Sequence, residues 1–366
     1  MPCLDEEGTV GQCVRLALDW IGRSGLRGEV IVVDNGSTDG SVERAARAGA
    51  RVEHEDARGY GRAVMRGLAE ARGRIVVMGD ADGTYDFSDL SPLIARLDAG
   101  ADLVLGNRFA GGVAPGAMPF LHRYLGTPIN NALLRAFFGV RVGDSHSGLR
   151  AFRRDILGSL RLSEAGFELT AEMIIQAVRT GHRIAEVPAP YGARQGRSKL
   201  STVREGWRFL RFLLLAAPDF LFVLPGFVLL VVGVLVFGLS FLSPSGVEIG
   251  SLSWQPVFAG PIFVAIGINA LAFGVIAKLR GTARGLLPED RSVRIYRRFF
   301  RLERVLTVAV VLVLAGVALD AYLFAVWASG GQLSAGNHLA ALAQTLLIVG
   351  AQLGFAGFLI VTVDSE

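Results

Sequence analysis

Two aspartates separated by one residue, Asp80 and Asp82, are the side chains here best suited to chemistry. They follow RIVVM at 74–78, an apolar run typical of a buried strand. Two such carboxylates can face one divalent cation, and Mg²⁺ or Mn²⁺ often bridges a carboxylate to substrate phosphates. A bound cation also neutralises the charge that grows on a departing nucleoside diphosphate. Alone the pair is a weak signal, because D-x-D also occurs in turns.

Two other apolar runs end in polar residues: EVIVV at 29–33 precedes Asp34, and DLVL at 102–105 precedes GNRF. Helical stretches lie between them, which predicts a mostly parallel α/β sheet that binds ligands beyond the carboxyl ends of its strands. Asp34 could bond a nucleobase N–H, form an Asx turn, or do both. Gly59 and Gly61 open a helix and would allow a ligand to approach the backbone closely.

The second half of the 366-residue chain is dominated by apolar runs. Four segments are long enough to span a bilayer: 220–242, 257–277, 305–328 and 339–363. The connection at 278–304 carries nine Lys and Arg residues, whereas 243–256 and 329–338 carry none. The positive-inside rule predicts a multi-pass cell-membrane protein whose N-terminal domain and both termini are cytoplasmic.

The predicted organisation is a globular domain at 1–200, an amphipathic interfacial helix at 201–217 and a four-span helical domain at 218–366. In the helix, Trp207 would lie at headgroup depth with arginines on lipid phosphates. The net charge of +4 is small, and the basic residues cluster near the apolar runs. We therefore expect a membrane surface and no nucleic acid as the anionic partner. Cys3 and Cys13 predict neither a disulfide framework nor a metal set.

In order along the chain, PCLDEE, VVDNGSTDGS, GYGRA, GDAD, GNRF and DSHSGLRAF resemble family 2 of the inverting glycosyltransferases. The resemblance covers about residues 1–200 and is closest to the dolichol-phosphate mannose and polyprenyl-phosphate glucose synthases. It implies a GT-A fold, which is a Rossmann-like, mostly parallel α/β domain. It also implies transfer of one sugar from GDP-mannose or a UDP-hexose to polyprenyl or dolichyl phosphate, with inversion, at the cytoplasmic membrane face.

The resemblance assigns roles to individual residues. Nucleotide-sugar binding falls to Pro2, Leu4, Glu6, Asp34, Gly59, Gly61, Asp80, Ala81 and Asp82. The expected cofactor is Mg²⁺ or Mn²⁺, held by Asp80 and Asp82. Binding of the acceptor phosphate falls to Arg108, Arg123, Arg197 and Lys199. The catalytic set is Asp82, Arg108, Arg123 and Asp144, and for Asp144 a role as base and a structural loop role are equally compatible with the sequence.

The chain departs from the family pattern at two places. Thr84 stands where the family often has a Gln beside its metal, and Asp86 could compensate. The family's first strand, normally just before PCLDEE, is missing, and the opening MPCLDEE is turn-like. We expect a misassigned start codon, and we expect no signal peptide in this acidic N-terminal stretch.

Two alternative functions stay open. A processive polysaccharide synthase would use a similar domain, but its QxxRW signature is absent after the aspartate pair. A lipid-flipping module with secondary catalysis is the other alternative, motivated by the four spans. The sequence is compatible with a homo-oligomer, and it does not identify the sugar, the nucleotide or the polyprenyl length.

Overall fold

The computed structural model describes residues 1–195, 202–242, 247–249, 252–254, 256–283, 287, 289–299, 301–331 and 336–364. The chain forms two compact units, Met1–Leu213 and Leu214–Glu366. The boundary between them falls within the helix that was predicted to lie in the membrane interface.

The first unit alternates strands and helices over most of its length. Its strands are β1 Pro2–Cys3, β2 Ile31–Asp34, β3 Arg51–His54, β4 Ile75–Met78, β5 Leu103–Asn107, β6 Arg150–Arg153 and β7 Ile184–Pro188. Its helices are α1 Val10–Ser24, α2 Ser41–Arg47, α3 Tyr60–Glu70, α4 Ser91–Asp98, the single turn α5 Arg108–Gly111, α6 Thr127–Phe138, α7 Leu169–Arg179 and α8 Thr202–Leu215. A π-helical turn, His122–Gly126, leads into α6, and a 3₁₀ turn, Arg154–Gly158, follows β6.

These strands form two sheets. The first has the order β1-β2-β3 and is entirely parallel, and the second has the order β4-β6-β5-β7. In the second sheet β5 and β7 are parallel, while β6 runs antiparallel to both of its neighbours. The predicted Rossmann-like, mostly parallel α/β architecture is confirmed. The reversed β6 brings the DSHSGLR segment, which precedes it, to the edge where β4 and β5 end.

The opening residues correct one expectation. Pro2 and Cys3 are not a turn: they form β1, which pairs in parallel with Val33 and Asp34 of β2. The amino group of Met1 donates a 2.8 Å hydrogen bond to the carbonyl of Ile31, and burial lowers the pKa of this amine to about 6.

An apolar cavity of about 640 Å³ separates the two sheets. Residues of β2 and β4 both line it, together with Met1 and Phe87. β2 pairs with β1 and β3, whereas β4 pairs with β6, and buried residues of both sheets, such as Val32 and Val104, belong to one hydrophobic cluster.

The second unit contains four helices that are long and apolar enough to cross a membrane, as predicted. They are α9 Leu224–Leu242, preceded by a π-helical turn at Asp219–Val223, α10 Pro256–Ala283, α12 Leu302–Ala328 and α13 Gly336–Asp364. A short hairpin, β8 Val247–Ile249 and β9 Leu252–Trp254, joins the first two helices, and α11 Arg291–Phe299 lies between α10 and α12.

Glycines let α9 and α10 pack closely. A Cβ atom added at Gly226 would lie 2.9 Å from the carbonyl of Gly267, and one added at Gly233 would lie 2.8 Å from the carbonyl of Gly260. Larger side chains at these positions would force the two backbones apart.

The ends of α10 and α11 are tied together by charge and by apolar contact. Lys278 Nζ lies 2.8 Å from an Asp219 carboxylate oxygen and 3.0 Å from Asp290. Val293 of α11 is fully buried in a cluster with Leu279 and Ile360. The second connection is therefore an ordered part of the helical unit over its described residues.

Candidate active site

The aspartate pair lies directly after β4, where the sequence predicted it. Asp82 is buried, and Oδ1 of Asp80 is buried without a hydrogen-bond partner among the described residues. Burial and the neighbouring charge of Asp82 raise the pKa of Asp80 to about 6. A Cβ atom at Gly148 would overlap the Asp80 carboxylate, so only glycine allows this approach of the DSHSG backbone. The pair is thus crowded, with one Asp80 oxygen left unpartnered among the described residues.

Thr84, the first departure from the family pattern, is buried beside Asp82. Its hydroxyl donates a 2.6 Å hydrogen bond to Oδ1 of Asp82, and its backbone N–H donates to the same oxygen at 3.1 Å. Asp86 is exposed and accepts a hydrogen bond from the backbone of Ser88. Thr84 therefore orients the Asp82 carboxylate, whereas the Asp86 carboxylate bonds the backbone of its own loop.

Arg194 connects two of the predicted donor-site acids. One Nη atom bonds the Glu6 carboxylate, and the other lies 3.5 Å from Oδ2 of Asp82. Its Nε is buried without a hydrogen-bond partner in the described part of the chain. Sequence reasoning missed this residue, although the basic ARQGRSK segment around it was a signal.

Asp34 ends β2 and forms an Asx turn. Its oxygens accept hydrogen bonds from the backbone N–H groups of Gly36 and Ser37, both at 3.1 Å. Burial favours the neutral acid, but the hydrogen bonds from Ser37 and Gly36 lower the pKa of Asp34 below its usual value. Both predicted roles remain compatible with this geometry, since the turn leaves the carboxylate ionised at the sheet edge.

Gly59 and Gly61 are explained by packing against the chain itself. The N–H of Gly61 donates a 2.9 Å hydrogen bond to the carbonyl of Ala165, and a Cβ at either glycine would overlap the backbone at 164–166. Gly59 also has a φ of 150°, which favours glycine. Ligand contact at these glycines stays a prediction.

Arg108 and Asp144 form a buried bidentate ion pair. Nε and Nη2 of Arg108 bond the two Asp144 oxygens at 2.6 and 2.8 Å, and the Arg108 backbone N–H adds a third bond at 3.0 Å. The Arg108 guanidinium also lies 5.1 Å from the centre of the Tyr191 ring. Although burial disfavours the cation, nearby Tyr85 and Asp144 raise the pKa of Arg108. The sequence singled out both residues but assigned them separate roles.

Two residues to which the sequence assigned no role hold the DSHSGLR segment: Glu186, and Arg150 at the end of the segment itself. Glu186 on β7 accepts hydrogen bonds from the backbone N–H groups of Gly143 and Asp144, at 2.9 and 3.1 Å. Arg150, fully buried, donates to the carbonyls of Ser145 and Thr170 at 2.9 and 2.6 Å. Because burial disfavours its charge, the pKa of Arg150 falls to about 10.

Family models match most of the first unit and the C-terminal part of the second. The model of glycosyl transferase family 2 matches residues 1–161, and that of the family 2 C-terminal transmembrane region matches residues 275–364. The chain is 35% identical over 365 residues to the low-salt glycan biosynthesis hexosyltransferase Agl6 of Haloferax volcanii, covering 98% of this chain and 87% of that protein. This chain belongs to glycosyltransferase family 2.

Two other relatives of this glycosyltransferase match its first unit. A dolichyl-phosphate hexose transferase of Haloferax volcanii is 36% identical over 180 residues, covering 49% of this chain and 77% of that one. A crystal structure of the glucosyl-3-phosphoglycerate synthase of Mycobacterium tuberculosis with Mg²⁺ and uridine diphosphate is 27% identical. It has a TM-score of 0.46 and covers 58% of this chain and 76% of that one.

The remaining predicted acceptor residues of the glycosyltransferase differ in position. Arg123 lies in the turn before α6, half-buried, with its guanidinium 5.5 Å from the centre of the Tyr124 ring. It makes no ion pair with any other described residue. Arg197 and Lys199 lie outside the described residues, so their assignment stays a prediction.

Helix α8 of the glycosyltransferase packs against the DSHSG segment. The Phe209 ring stacks on His146 with centroids 4.1 Å apart, and Arg208 lies 2.7 Å from Glu168. Trp207, expected at headgroup depth, is exposed. Placement of this helix in a membrane interface stays a prediction.

The residues of the glycosyltransferase fit a divalent cation at the aspartate pair. Among the described residues no group of three or more His, Cys, Asp or Glu side chains is arranged around one point. Mg²⁺ commonly uses only one or two carboxylates together with water and substrate phosphates. The unpartnered Asp80 oxygen, beside the Asp82 carboxylate, supplies such a donor set.

Proposed function

We propose that this glycosyltransferase transfers one sugar from a nucleotide sugar to a polyprenyl phosphate, with inversion at the anomeric carbon. The observation that carries the proposal is the buried Asp80–Asp82 pair with its unpartnered oxygen, in a chain with four apolar helices. The hexosyltransferase and the dolichyl-phosphate hexose transferase among its relatives support transfer of a hexose to a dolichyl-type phosphate.

On the donor side, Asp80 and Asp82 would hold Mg²⁺ or Mn²⁺, which supplies Lewis-acid neutralisation of the leaving diphosphate. Thr84 keeps Asp82 in one orientation through its 2.6 Å hydrogen bond. Asp34, with Pro2, Leu4 and Glu6 of the adjoining loop, would bind the nucleoside. Since Arg194 contacts both Glu6 and Asp82, a cation bound at Asp82 would compete with this guanidinium for the carboxylate.

On the acceptor side, the chemistry needs positive charge more than a base. A phosphate monoester has a second pKa near 6 and is mostly dianionic at neutral pH, so it can attack the anomeric carbon without losing a proton first. Both oxygens of Asp144 are engaged by Arg108, which favours the structural role for this acid. Arg123, half-buried and without an ion pair among the described residues, would bind the phosphate.

The orientation follows from the loop charges. The basic connection between the second and third spans belongs in the cytoplasm by the positive-inside rule. An even number of spans then returns the C-terminus to the side of the N-terminal domain. We infer that the sugar is transferred at the cytoplasmic membrane face, where nucleotide sugars are made.

The test is transfer of radiolabelled sugar by the full chain in nanodiscs. GDP- and UDP-sugars are screened with polyprenyl phosphate and Mg²⁺ or Mn²⁺. We expect Asp82→Ala to abolish transfer, whereas Asp86→Ala, in the same loop, retains it. Full activity of Asp82→Ala in EDTA would refute the metal site, and a polymeric product would favour the processive alternative. NMR of the lipid-linked sugar determines the anomeric configuration.

A further inference from the structure

A groove of about 780 Å³ lies at one end of the second sheet, where β4 begins. It is lined by residues of α3, of the start of β4 and of the segment that follows β6, with Arg74 and Arg154 among them. Asp80 follows the other end of β4, six residues after Arg74, which corresponds to roughly 20 Å along an extended strand. The groove is therefore separate from the candidate active site, and we call it the 74/154 groove.

Two arginines stand opposite each other at this groove. Ile75 of β4 pairs with Arg153 of β6, and the next step of the antiparallel pairing places Arg154 opposite Arg74. The backbone N–H of Arg154 donates a 2.8 Å hydrogen bond to the carbonyl of Arg74. Side chains directly opposite in such a pair lie on the same face of the sheet, and like charges there are destabilising. The sheet thus carries an unfavourable pair of charges at the groove.

No acid of the described chain compensates these two charges. Both side chains are exposed, and neither makes an ion pair with any residue that the structure describes. By contrast, Arg51, Arg66 and Arg153 of the same unit each have a carboxylate oxygen within 3.2 Å. Two opposed cations without a counter-charge indicate that an anion from outside the domain occupies this place.

The floor of the 74/154 groove is aliphatic. Leu68 and Leu160 are recessed, at 8% and 6% exposed, and Met65 and Leu157 line the groove beside them. A simple anion would leave this apolar floor uncovered, and a flat bilayer surface would not reach side chains recessed in a groove. No aromatic ring lies among the described lining residues, so the groove lacks the stacking surfaces that hold nucleobases.

We propose that the 74/154 groove binds an acidic segment of a partner protein, with its carboxylates on Arg74 and Arg154 and its aliphatic side chains on the floor. Guanidinium groups bind carboxylates in a bidentate geometry, which gives the contact direction as well as charge. Exposed ion pairs contribute little by themselves, so the apolar contacts with Leu68 and Leu160 supply the remaining affinity. The enzyme would thereby associate with another protein without occupying its own catalytic site.

Fluorescence anisotropy with the full chain in nanodiscs of zwitterionic lipid tests the binding. The probe is a short fluorescein-labelled peptide of glutamate, leucine and glycine, and two control peptides carry serine for leucine or lysine for glutamate. We expect saturable binding of the first peptide, weakened at least about tenfold in Arg74→Glu/Arg154→Glu. Arg47→Glu/Arg96→Glu, which reverses two exposed arginines of α2 and α4 and changes the net charge equally, should bind the peptide as the wild type does.

Three results would overturn the proposal. The first is equal binding of the serine peptide, because the groove would then accept any anion and its floor would have no role. The second is wild-type affinity in Arg74→Glu/Arg154→Glu, which would place the peptide elsewhere on the protein. The third is the absence of saturable binding of the glutamate–leucine peptide to the wild-type chain.

A second measurement needs no peptide. Arg154→Glu places opposite charges across the strand pair, so we expect it to raise the apparent unfolding temperature of the full chain while it weakens peptide binding. Arg154→Gln, which removes the charge without creating an ion pair, should raise the unfolding temperature by less. Scanning fluorimetry measures both variants. An unfolding temperature of Arg154→Glu at or below the wild-type value would contradict the charge conflict on which the proposal depends.

Discussion

The hydroxyl of Thr84 donates a 2.6 Å hydrogen bond to Oδ1 of Asp82. The hydroxyl is a donor here, so Thr84 fixes Oδ1 of Asp82, while Oδ2 lies 3.5 Å from an Arg194 Nη atom. Residues that orient a metal ligand typically change metal affinity or activity by about 10–100-fold when removed.

We therefore expect Thr84→Val to raise the Mn²⁺ concentration for half-maximal transfer by about tenfold or more, because the hydroxyl donor is lost from a buried site. Thr84→Ser, which keeps the hydroxyl, should remain near wild type. A metal titration of transfer measures both. If the two variants require the same Mn²⁺ concentration, the hydrogen bond does not orient Asp82.

Arg194 yields a prediction about stability. Its guanidinium contacts Glu6 and Asp82, so Arg194→Met should remove a cation from beside both acids and lower the apparent unfolding temperature in EDTA by several degrees. Saturating Mg²⁺ and nucleoside diphosphate should reduce the difference in unfolding temperature between the variant and the wild type, because the bound cation replaces the guanidinium. Scanning fluorimetry of the purified full chain measures this. If the ligands do not change this difference in unfolding temperature, Arg194 has a purely structural role.

The Arg108–Asp144 pair predicts strongly coupled mutants. Arg108→Met leaves the fully buried Asp144 carboxylate without its ion-pair partner, which should lower the free energy of unfolding by about 3–5 kcal/mol. We expect Arg108→Met and Asp144→Asn to lose similar fractions of the wild-type transfer activity. The double variant should lose no more activity than the worse single variant. The acid limb of the pH–rate profile should keep its midpoint in Asp144→Asn. Loss of that limb would instead identify Asp144 as a general base.

His146 predicts a pH dependence of stability. Burial lowers the pKa of this side chain to about 3, against about 6.5 in an unfolded chain. Between these values the unfolded chain binds a proton that the folded domain excludes. The domain therefore loses stability as the pH falls from about 6.5 toward 3, and this group has no effect at higher pH.

We expect His146→Phe, which retains a ring between Phe167 and Phe209, to show a smaller difference in apparent unfolding temperature between pH 5 and pH 7.5. Loss of the contacts with Asn130 and Ser145 should lower its stability by a similar amount at both pH values. An unchanged pH difference would show that His146 does not titrate in this way.

The strand ends and the aspartate pair could be predicted because they depend on local patterns. A short apolar run followed by polar residues indicates both a buried strand and the point where it ends. The partners of those residues could not be predicted. Arg194 bonds Glu6 across 188 positions, and Gly59 and Gly61, at the start of α3, contact a loop about a hundred residues later. The antiparallel direction of β6 could not be predicted either, because the residues of one strand do not determine the direction of the strands that pair with it.

The matched glycines of α9 and α10 fix how each helix is rotated about its own axis relative to the other. Gly226 faces Gly267 and Gly233 faces Gly260, so both helices repeat the contact after seven residues. Inserting one residue between the glycines of either helix would rotate the second contact by about 100° and place a bulky side chain against the opposing backbone. Inserting seven residues into both helices between these glycines would keep the two contacts, because seven residues are close to two helical turns. Each helix would then be longer by about 10.5 Å between its contact points, which would suit a thicker bilayer.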